Sequence, residues 1–225
     1  MPLKPYQLAS PGALTASGGH YTFGPNINLI DSFEDANYSE WTLAYGPSGE
    51  YSIVSTGAYD GTYAFHADSS GSGYTALSGD LPNLPVAQGD TYRYWLKCSV
   101  GHNSGVKSKH YMGYGVQDSG GTQEYYMRPD FDAGTIRLYK YDSGDTQLAE
   151  DPTCNMNADT YYLHELVWGT DDSHTYTVYD APPESGGTTI GSCSATEGTW
   201  TTGGISYEAD LASGVTSTAD YFHTL

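Results

Sequence analysis

The sequence predicts an all-β protein: an antiparallel β-sandwich preceded by an irregular N-terminal arm. Three observations carry that prediction. Glycine (28 residues) and tyrosine (22 residues) dominate while helix formers are sparse. Short β-rich runs are parted by Gly, Asp, Asn, Ser and Pro, the punctuation of an all-β chain. No amphipathic helical period and no alternation of strand with helix appears, which disfavours a doubly wound α/β fold.

The runs follow one another from residue 51 to residue 225. YSIVS (51–55), TYAFHA (62–67) and GYTALS (73–78) open the series, and TYRYWLKCSV (91–100) is its strongest member. YMGYGVQ (111–117), QEYYMRP (123–129) and TIRLYKY (135–141) form the middle. YYLHELVW (161–168), HTYTVYD (174–180), TTIGSCSA (188–195), GGISYEA (203–209) and TADYFHTL (218–225) complete it. Residues 1–27 differ: they are rich in Pro, Gly, Ser and Ala and lack period-2 alternation, the composition of an arm or linker. The expected division is therefore an arm over 1–27 and a sandwich over 28–225. The arm has no apolar core of the kind an export signal needs.

Charge narrows the partners. Eight Lys and Arg face 27 Asp and Glu, a formal charge of −19. Seven of the cations lie between Arg93 and Lys140, a window of net charge +3, and only Lys4 lies outside it. A surface this acidic will not track a phosphate backbone or adhere to anionic lipid, and no apolar run is long enough to span a bilayer. Self-repulsion on this scale destabilises a compact state in dilute buffer; at molar salt the Debye length is roughly 3 Å and the repulsion is screened. We read the charge as adaptation to high salt; the alternative is an ordinary acidic extracellular protein. Cys98, Cys154 and Cys193 show no paired spacing of the zinc-binding kind. Cys98 reads as a small buried hydrophobe; Cys154 with Cys193 is the more plausible pair, but no bridge is expected.

Two stretches carry a family resemblance. The first runs NLIDSFEDANYSEWTLAYG, YSIVSTGAYDGTYAFHADSS and LPVAQGDTYRYWLKCS. Its Asn28, Leu29, Phe33, Glu34, Trp41, Gly61, Tyr63, Ala64, Gly89, Thr91 and Tyr92 resemble the opening pattern of jelly-roll carbohydrate-binding modules. The second, YYLHELVWGTDDSHTYTVYDA with TWTTGGISYEAD and ADYFHTL, is similar to the C-terminal strands of concanavalin A-like lectin/glucanase and laminin-G-like domains. Together they cover residues 28 to 225. The resemblance implies a jelly-roll, concanavalin A-like sandwich whose first and last strands pair, setting Ile30–Phe33 beside Tyr221–Thr224. It also implies a structural calcium near those strands, at Glu34 and Asp220, although His223 stands where the closing strand usually has an acid. From the residues themselves, Asp130 and Asp132 form a second, weaker oxygen pair.

Catalysis is not expected. Glycoside hydrolysis needs two carboxylates flanking one bond. The Glu-x-Asp-x-x-Glu run of glucanases on this fold is missing, and Glu165 has no acidic neighbour on its own strand face. Glu124 shares a face with Tyr126, Arg128 and Asp130, and Arg128 is expected to keep a neighbouring carboxylate ionised. The histidines are scattered, and His164 reads as a core residue. Binding is the better expectation. Strand parity puts Arg93, Trp95 and Lys97 on one face, Tyr126 and Arg128 on another, and Arg137 and Tyr139 on a third. If these faces coincide, they form one cationic aromatic patch for acidic glycans or an acidic subunit; the alternative is that the arginines brace the sheet.

The sequence thus reads as a non-enzymatic structural or adhesion protein of a halophilic archaeal virus particle, of turret, decoration or fibre type. Its arm would anchor to other virion subunits, its copies would form a homo-oligomer, and its sandwich would face cell-surface glycans from the virion surface. The alternative is a secreted or free-standing carbohydrate-binding module of a halophilic organism. The charge yields a direct expectation: the melting temperature rises by several degrees or more from low salt to molar KCl. A flat series in calorimetry or circular dichroism would remove the salt-adapted reading.

Overall fold

The run TYRYWLKC forms β7 (Thr91–Cys98), near the middle of the first of two antiparallel sheets in a computed structural model. The structure describes residues 28–37, 41–45, 51–68, 74–79, 86–118 and 122–225; the expected arm lies outside them. Alternation along β7 sends Tyr92, Tyr94, Leu96 and Cys98 into the core and leaves Arg93, Trp95 and Lys97 on the outer face. The order of this sheet is β14 (Thr189–Thr196), β13 (Ser173–Tyr179), β12 (Tyr162–Trp168), β7, β16 (Thr216–Thr224), β4 (Ala64–Asp68) and β3 (Tyr51–Val54). The short β1 (Asn28–Asp31) also pairs with β16.

The second sheet runs β11 (Asp145–Asp151), β10 (Thr135–Asp142), β9 (Gln123–Asp130), β8 (Ser108–Val116), β15 (Thr202–Leu211), β5 (Tyr74–Gly79) and β2 (Trp41–Tyr45), with β6 (Val86–Ala87) on β15. The two sheets pack face to face as the expected β-sandwich. One 3₁₀ turn, Pro183–Ser185, is the helical element among the described residues, and none of these forms a helix long and apolar enough to cross a membrane. β2, β6 and β11 were not among the predicted runs. β11 reads DTQLAED, with its first three residues exposed; as an edge strand it is held by backbone pairing to β10, which leaves no apolar period to read.

The first and last strands pair as expected, but two residues out of the expected place. Asn28 faces Thr224 and Asp31 faces Phe222, and β1 ends at Asp31. Phe33 has left the strand at φ 58°, which drives its ring under the core. There it lies 5.4 Å from Phe65 and 5.7 Å from Phe222, with Trp41 5.4 Å from Phe222. In β16 a bulge at Tyr221 (φ 53°) lets Asp220 and His223 both lie on the outer face while Phe222 packs inward against Tyr94. Strain of this kind costs on the order of 1–3 kcal/mol at each residue, and it persists because the packed rings hold it.

The core mixes aliphatic residues with an unusual share of tyrosine. Tyr92, Tyr94, Tyr114, Tyr125, Tyr176 and Tyr207 are fully buried. A buried phenol usually finds a partner for its hydroxyl, and five of these six do, Tyr94 being the exception. Tyr92 donates to Met112 Sδ at 3.2 Å, Tyr207 meets Ser217 Oγ at 3.2 Å, and Tyr125 donates to Glu197. Two more partners are histidines: Tyr114 Oη lies 2.9 Å from His174 Nδ1, and Tyr176 Oη 2.6 Å from His164 Nδ1. His164 is thus a core residue, as expected. His110 is also fully buried, between Phe131 and Tyr207, with neither ring nitrogen hydrogen-bonded. Cys98, Cys154 and Cys193 are buried thiols, each pushed up to about 12 by burial.

Burial pushes His110 down to about 3 and His164 well below its ordinary 6.5. The unfolded chain takes up these protons near pH 6.5 and the folded chain does not, so the stability they reflect is complete above pH 6.5 and lost as pH falls toward 3. Burial raises Glu124 to about 8 and Asp220 to about 7, and these two oppose part of the loss. Replacing His110 with Leu should remove roughly 2 kcal/mol of the loss between pH 7 and pH 5, at about 1.36 kcal/mol per unit. Melts of both proteins at the two pH values check it; an unchanged acid slope would mean that His110 does not stay neutral in the fold.

Candidate functional site

The residues expected to form one cationic patch fall on two different outer faces. Arg93, Trp95 and Lys97 belong to β7 of the first sheet, whereas Tyr126, Arg128, Arg137 and Tyr139 belong to β9 and β10 of the second. Parity within each strand was read correctly; which sheet each strand joins is a long-range fact that parity does not contain.

The first sheet's outer face is covered by the protein's own loops. The 3₁₀ turn brings Glu184 to 3.0 Å from Arg93 Nη1, while Glu165, opposite Arg93 on β12, takes Nε and Nη2 at 2.6 and 2.5 Å. Arg93 is therefore a buried brace between two acids, the alternative role foreseen for it. Trp95, 2% exposed, is capped by Tyr59 with ring centroids 3.6 Å apart, and Lys97 reaches Gly57 O at 3.2 Å while lying over the Tyr161 ring at 4.7 Å.

The expected calcium ligands hold that same loop. Glu34 accepts the backbone N–H groups of Thr62 and Tyr63, and Asp220 Oδ2 accepts those of Tyr59 and Asp60. Gly61, at φ +70°, passes so close to the Glu34 carboxyl that a Cβ there would collide with it. Asp220 Oδ1 is buried without a hydrogen bond, and a single oxygen is no cage. Asp130 and Asp132 cap turns instead: Asp130 takes the Ala133 N–H, and Asp132 takes Ser104 Oγ and the Gly105 N–H, which draw it below its ordinary value. Among the described residues no three His, Cys, Asp or Glu side chains gather so as to hold a metal ion. The carboxylates of Glu34, Asp220, Asp130 and Asp132 are thus engaged by backbone and side-chain donors in this structure.

The second sheet's outer face is different. Tyr126 and Tyr139 face each other across β9 and β10 and stack at 4.9 Å with an interplanar angle of 11°. Their hydroxyls donate to Asp145 and Gln147 of β11. Being 3% and 7% exposed, they are a floor rather than a platform. Arg128 lies on that floor, its guanidinium 4.4 Å from the Tyr139 ring centre. Directly opposite it across the strands is Arg137, which pairs with Glu150 at 2.8 Å. Arg128 has no carboxylate partner among the described residues, and its buried Nε has no acceptor. Half-buried Tyr111, Glu124 and Tyr141 rim the floor, with Tyr111 5.5 Å from Tyr126.

Glu124 departs from expectation. Arg128 was expected to keep it ionised; instead its carboxyl crosses β8 above Gly113 and accepts Ser206 Oγ at 2.6 Å. Burial, reinforced by the charges of Glu208, Asp118 and Asp145, raises it to about 8, so it is mostly protonated at neutral pH. Tyr111 and the Glu124–Ser206 pair were missed as site residues. The signal was present in YMGYGVQ, where parity turns Tyr111 and Gly113 to the outer face.

No family model and no curated protein sequence matches this chain. Solved structures do. A legume lectin-like domain from Entamoeba histolytica aligns over 89% of this chain and 99% of its own, at TM-score 0.57 and 9% identity. The cellulose-induced protein Cip1 aligns over 87% and 95%, at 0.54 and 15%. The carbohydrate-binding module CBM66 from Bacillus subtilis aligns over 82% and 93%, at 0.53 and 13%. At these identities the likeness is one of fold.

The Glu124 seat can be tested. A side chain at 113 would collide with Ser206 Oγ and Glu124 Oε2, so Gly113→Ala should cost about 1–3 kcal/mol by overpacking and expel the carboxyl toward water. Glu124→Gln, which keeps the shape and an acceptor for Ser206, should leave the melting temperature nearly unchanged. A large loss in Glu124→Gln would show that the carboxylate, not the neutral acid, is what the fold holds.

Proposed function

We propose that this protein is a non-catalytic carbohydrate-binding domain and that its ligand lies on the outer face of the second sheet. The observation that carries this reading is the contrast between the two outer faces. Loops of the same chain fill the first, whereas the second presents Tyr111, Glu124, Arg128 and Tyr141 over a stacked tyrosine floor. Aromatic rings beside a few convergent polar groups suit the apolar faces and hydroxyls of sugars. The lectin-like fold of its structural neighbours supports the same reading by analogy only.

Binding is favoured over catalysis because the acids of this face are engaged. Asp145 holds Tyr126, Glu150 holds Arg137, and Asp210 holds Lys107 at 2.7 Å. Glu124 is pushed up by burial and by the neighbouring charges of Glu208, Asp118 and Asp145, and we assign it to holding Ser206 rather than to acid–base chemistry. The function needs no metal; a calcium at Glu34 and Asp220 would only brace the loop over 59–63. The narrower version, a virion surface protein of a halophilic archaeal virus that meets host glycans, rests on the charge and on the arm, and we place it second to the plain binding function.

A glycan array run at low salt and at molar KCl tests the proposal. Binding to at least one glycan class is expected, and Tyr111→Ala or Tyr141→Ala should weaken it about tenfold, roughly 1.4 kcal/mol, with an unchanged melt. Absence of binding across the array, or binding indifferent to both tyrosines, would sink the assignment of this face.

A further inference from the structure

We infer that the ligand of this face is an anionic glycan and that Arg128 receives the carboxylate of a uronate unit, an inference that rests on the binding function proposed above. Arg128 and Arg137 stand directly opposite each other in the β9–β10 register. Such a like-charge cross-strand pair is destabilising unless its charges are answered. Glu150 answers Arg137. Among the described residues no carboxylate is paired with Arg128, although the chain holds 27 acids and only eight Lys and Arg. In so acidic a protein, a guanidinium seated on an aromatic ring beside a second guanidinium suits an anion from outside, which its terminal N–H groups would meet.

The shape of the position selects the anion. The guanidinium over the Tyr139 ring is itself planar, and its N–H groups match a planar carboxylate through two parallel hydrogen bonds. The ring and pyranose hydroxyls of the same sugar unit would then lie toward Tyr111 and Glu124, the neighbouring half-buried groups. At ~0.1 M salt, charges farther than about 10 Å are largely screened. Of the nearer acids, Glu150 and Asp210 are each paired with a cation, whereas Asp145 and Glu208 leave a negative field that the contact with Arg128 must overcome.

Calorimetric titration of the full chain with trimers of galacturonate, glucuronate and mannuronate, each beside its methyl ester, tests the inference. At least one acid form should bind tenfold or more tighter than its ester. Arg128→Gln should abolish that preference and leave ester affinity within about twofold; Arg128→Lys, which keeps the charge but loses the planar fork, should retain only part of it. If esters bind as well as acids, the anionic assignment falls while the binding function stands. If neither form of any trimer binds, this inference falls, and the neutral glycans of the array decide the function by themselves. A preference for acids that survives Arg128→Gln in a protein with an unchanged melt would remove Arg128 from the role.

Discussion

The constraint on which the rest of this structure depends is that its core contains many phenols. A core of leucine and valine needs only to be filled, whereas buried tyrosines must also find partners for most of their hydroxyls, because an unpaired buried hydroxyl costs on the order of 1–3 kcal/mol. The buried histidines, the Met112 sulfur and Ser217 make sense in this light. His164 and His174 are neutral rings that can accept or donate as a phenol requires, and they lie where Tyr176 and Tyr114 end. Tyr125 reaches farther, to Glu197 at the mouth of the sandwich, and the same oxygen accepts the Trp200 N–H at 3.0 Å. Burial alone would raise Glu197, but hydrogen bonds from Thr199, Tyr125 and Lys140 bring it down to about 2. The polar network therefore runs from the dry core to the surface, joining strands of both sheets.

The two outer faces show how one architecture can treat similar residues differently. Both carry an arginine on a strand centre with aromatic neighbours. On the first sheet Glu165 and Glu184 quench Arg93, and Tyr59 closes over Trp95. That face has become a second, polar core, its loop held by Glu34 from beyond β1 and by Asp220 from β16. On the second sheet the glycine at 113 leaves room for Glu124 to fold inward, and Arg128 keeps its guanidinium on a tyrosine ring. What distinguishes brace from site is not the residue type but what the connecting loops bring to it.

Much of the fold was legible in the chain because its signals are local. Period-2 alternation in TYRYWLKC and TIRLYKY assigned inward and outward faces correctly, and Phe33, Trp41 and Gly61 did what their chemistry suggested. β11 was not legible, since an edge strand such as DTQLAED needs backbone partners rather than an apolar face. The joining of Arg93 to Arg128 and Arg137 failed for a topological reason. β7 pairs with β12 and β16, strands about seventy and more than a hundred residues away, and sequence order gives no account of such partners. Arg128 failed to govern Glu124 for a steric reason: the empty space over Gly113 offered the carboxyl a better hydrogen bond than the neighbouring cation did. The tyrosine-and-arginine half of the candidate site was thus readable from parity, while the raised carboxyl of Glu124 was not.

The pairing of β1 with β16 has a mechanical meaning. Asn28 lies opposite Thr224, so the two ends of the described sandwich emerge side by side at one corner of the first sheet. Tension applied across those ends would act on the β1–β16 ladder in peeling geometry, opening hydrogen bonds one after another rather than loading them together. A domain wired this way yields at low force at that corner. The Glu34 and Asp220 carboxylates on the loop over 59–63 are the next ties to take the load.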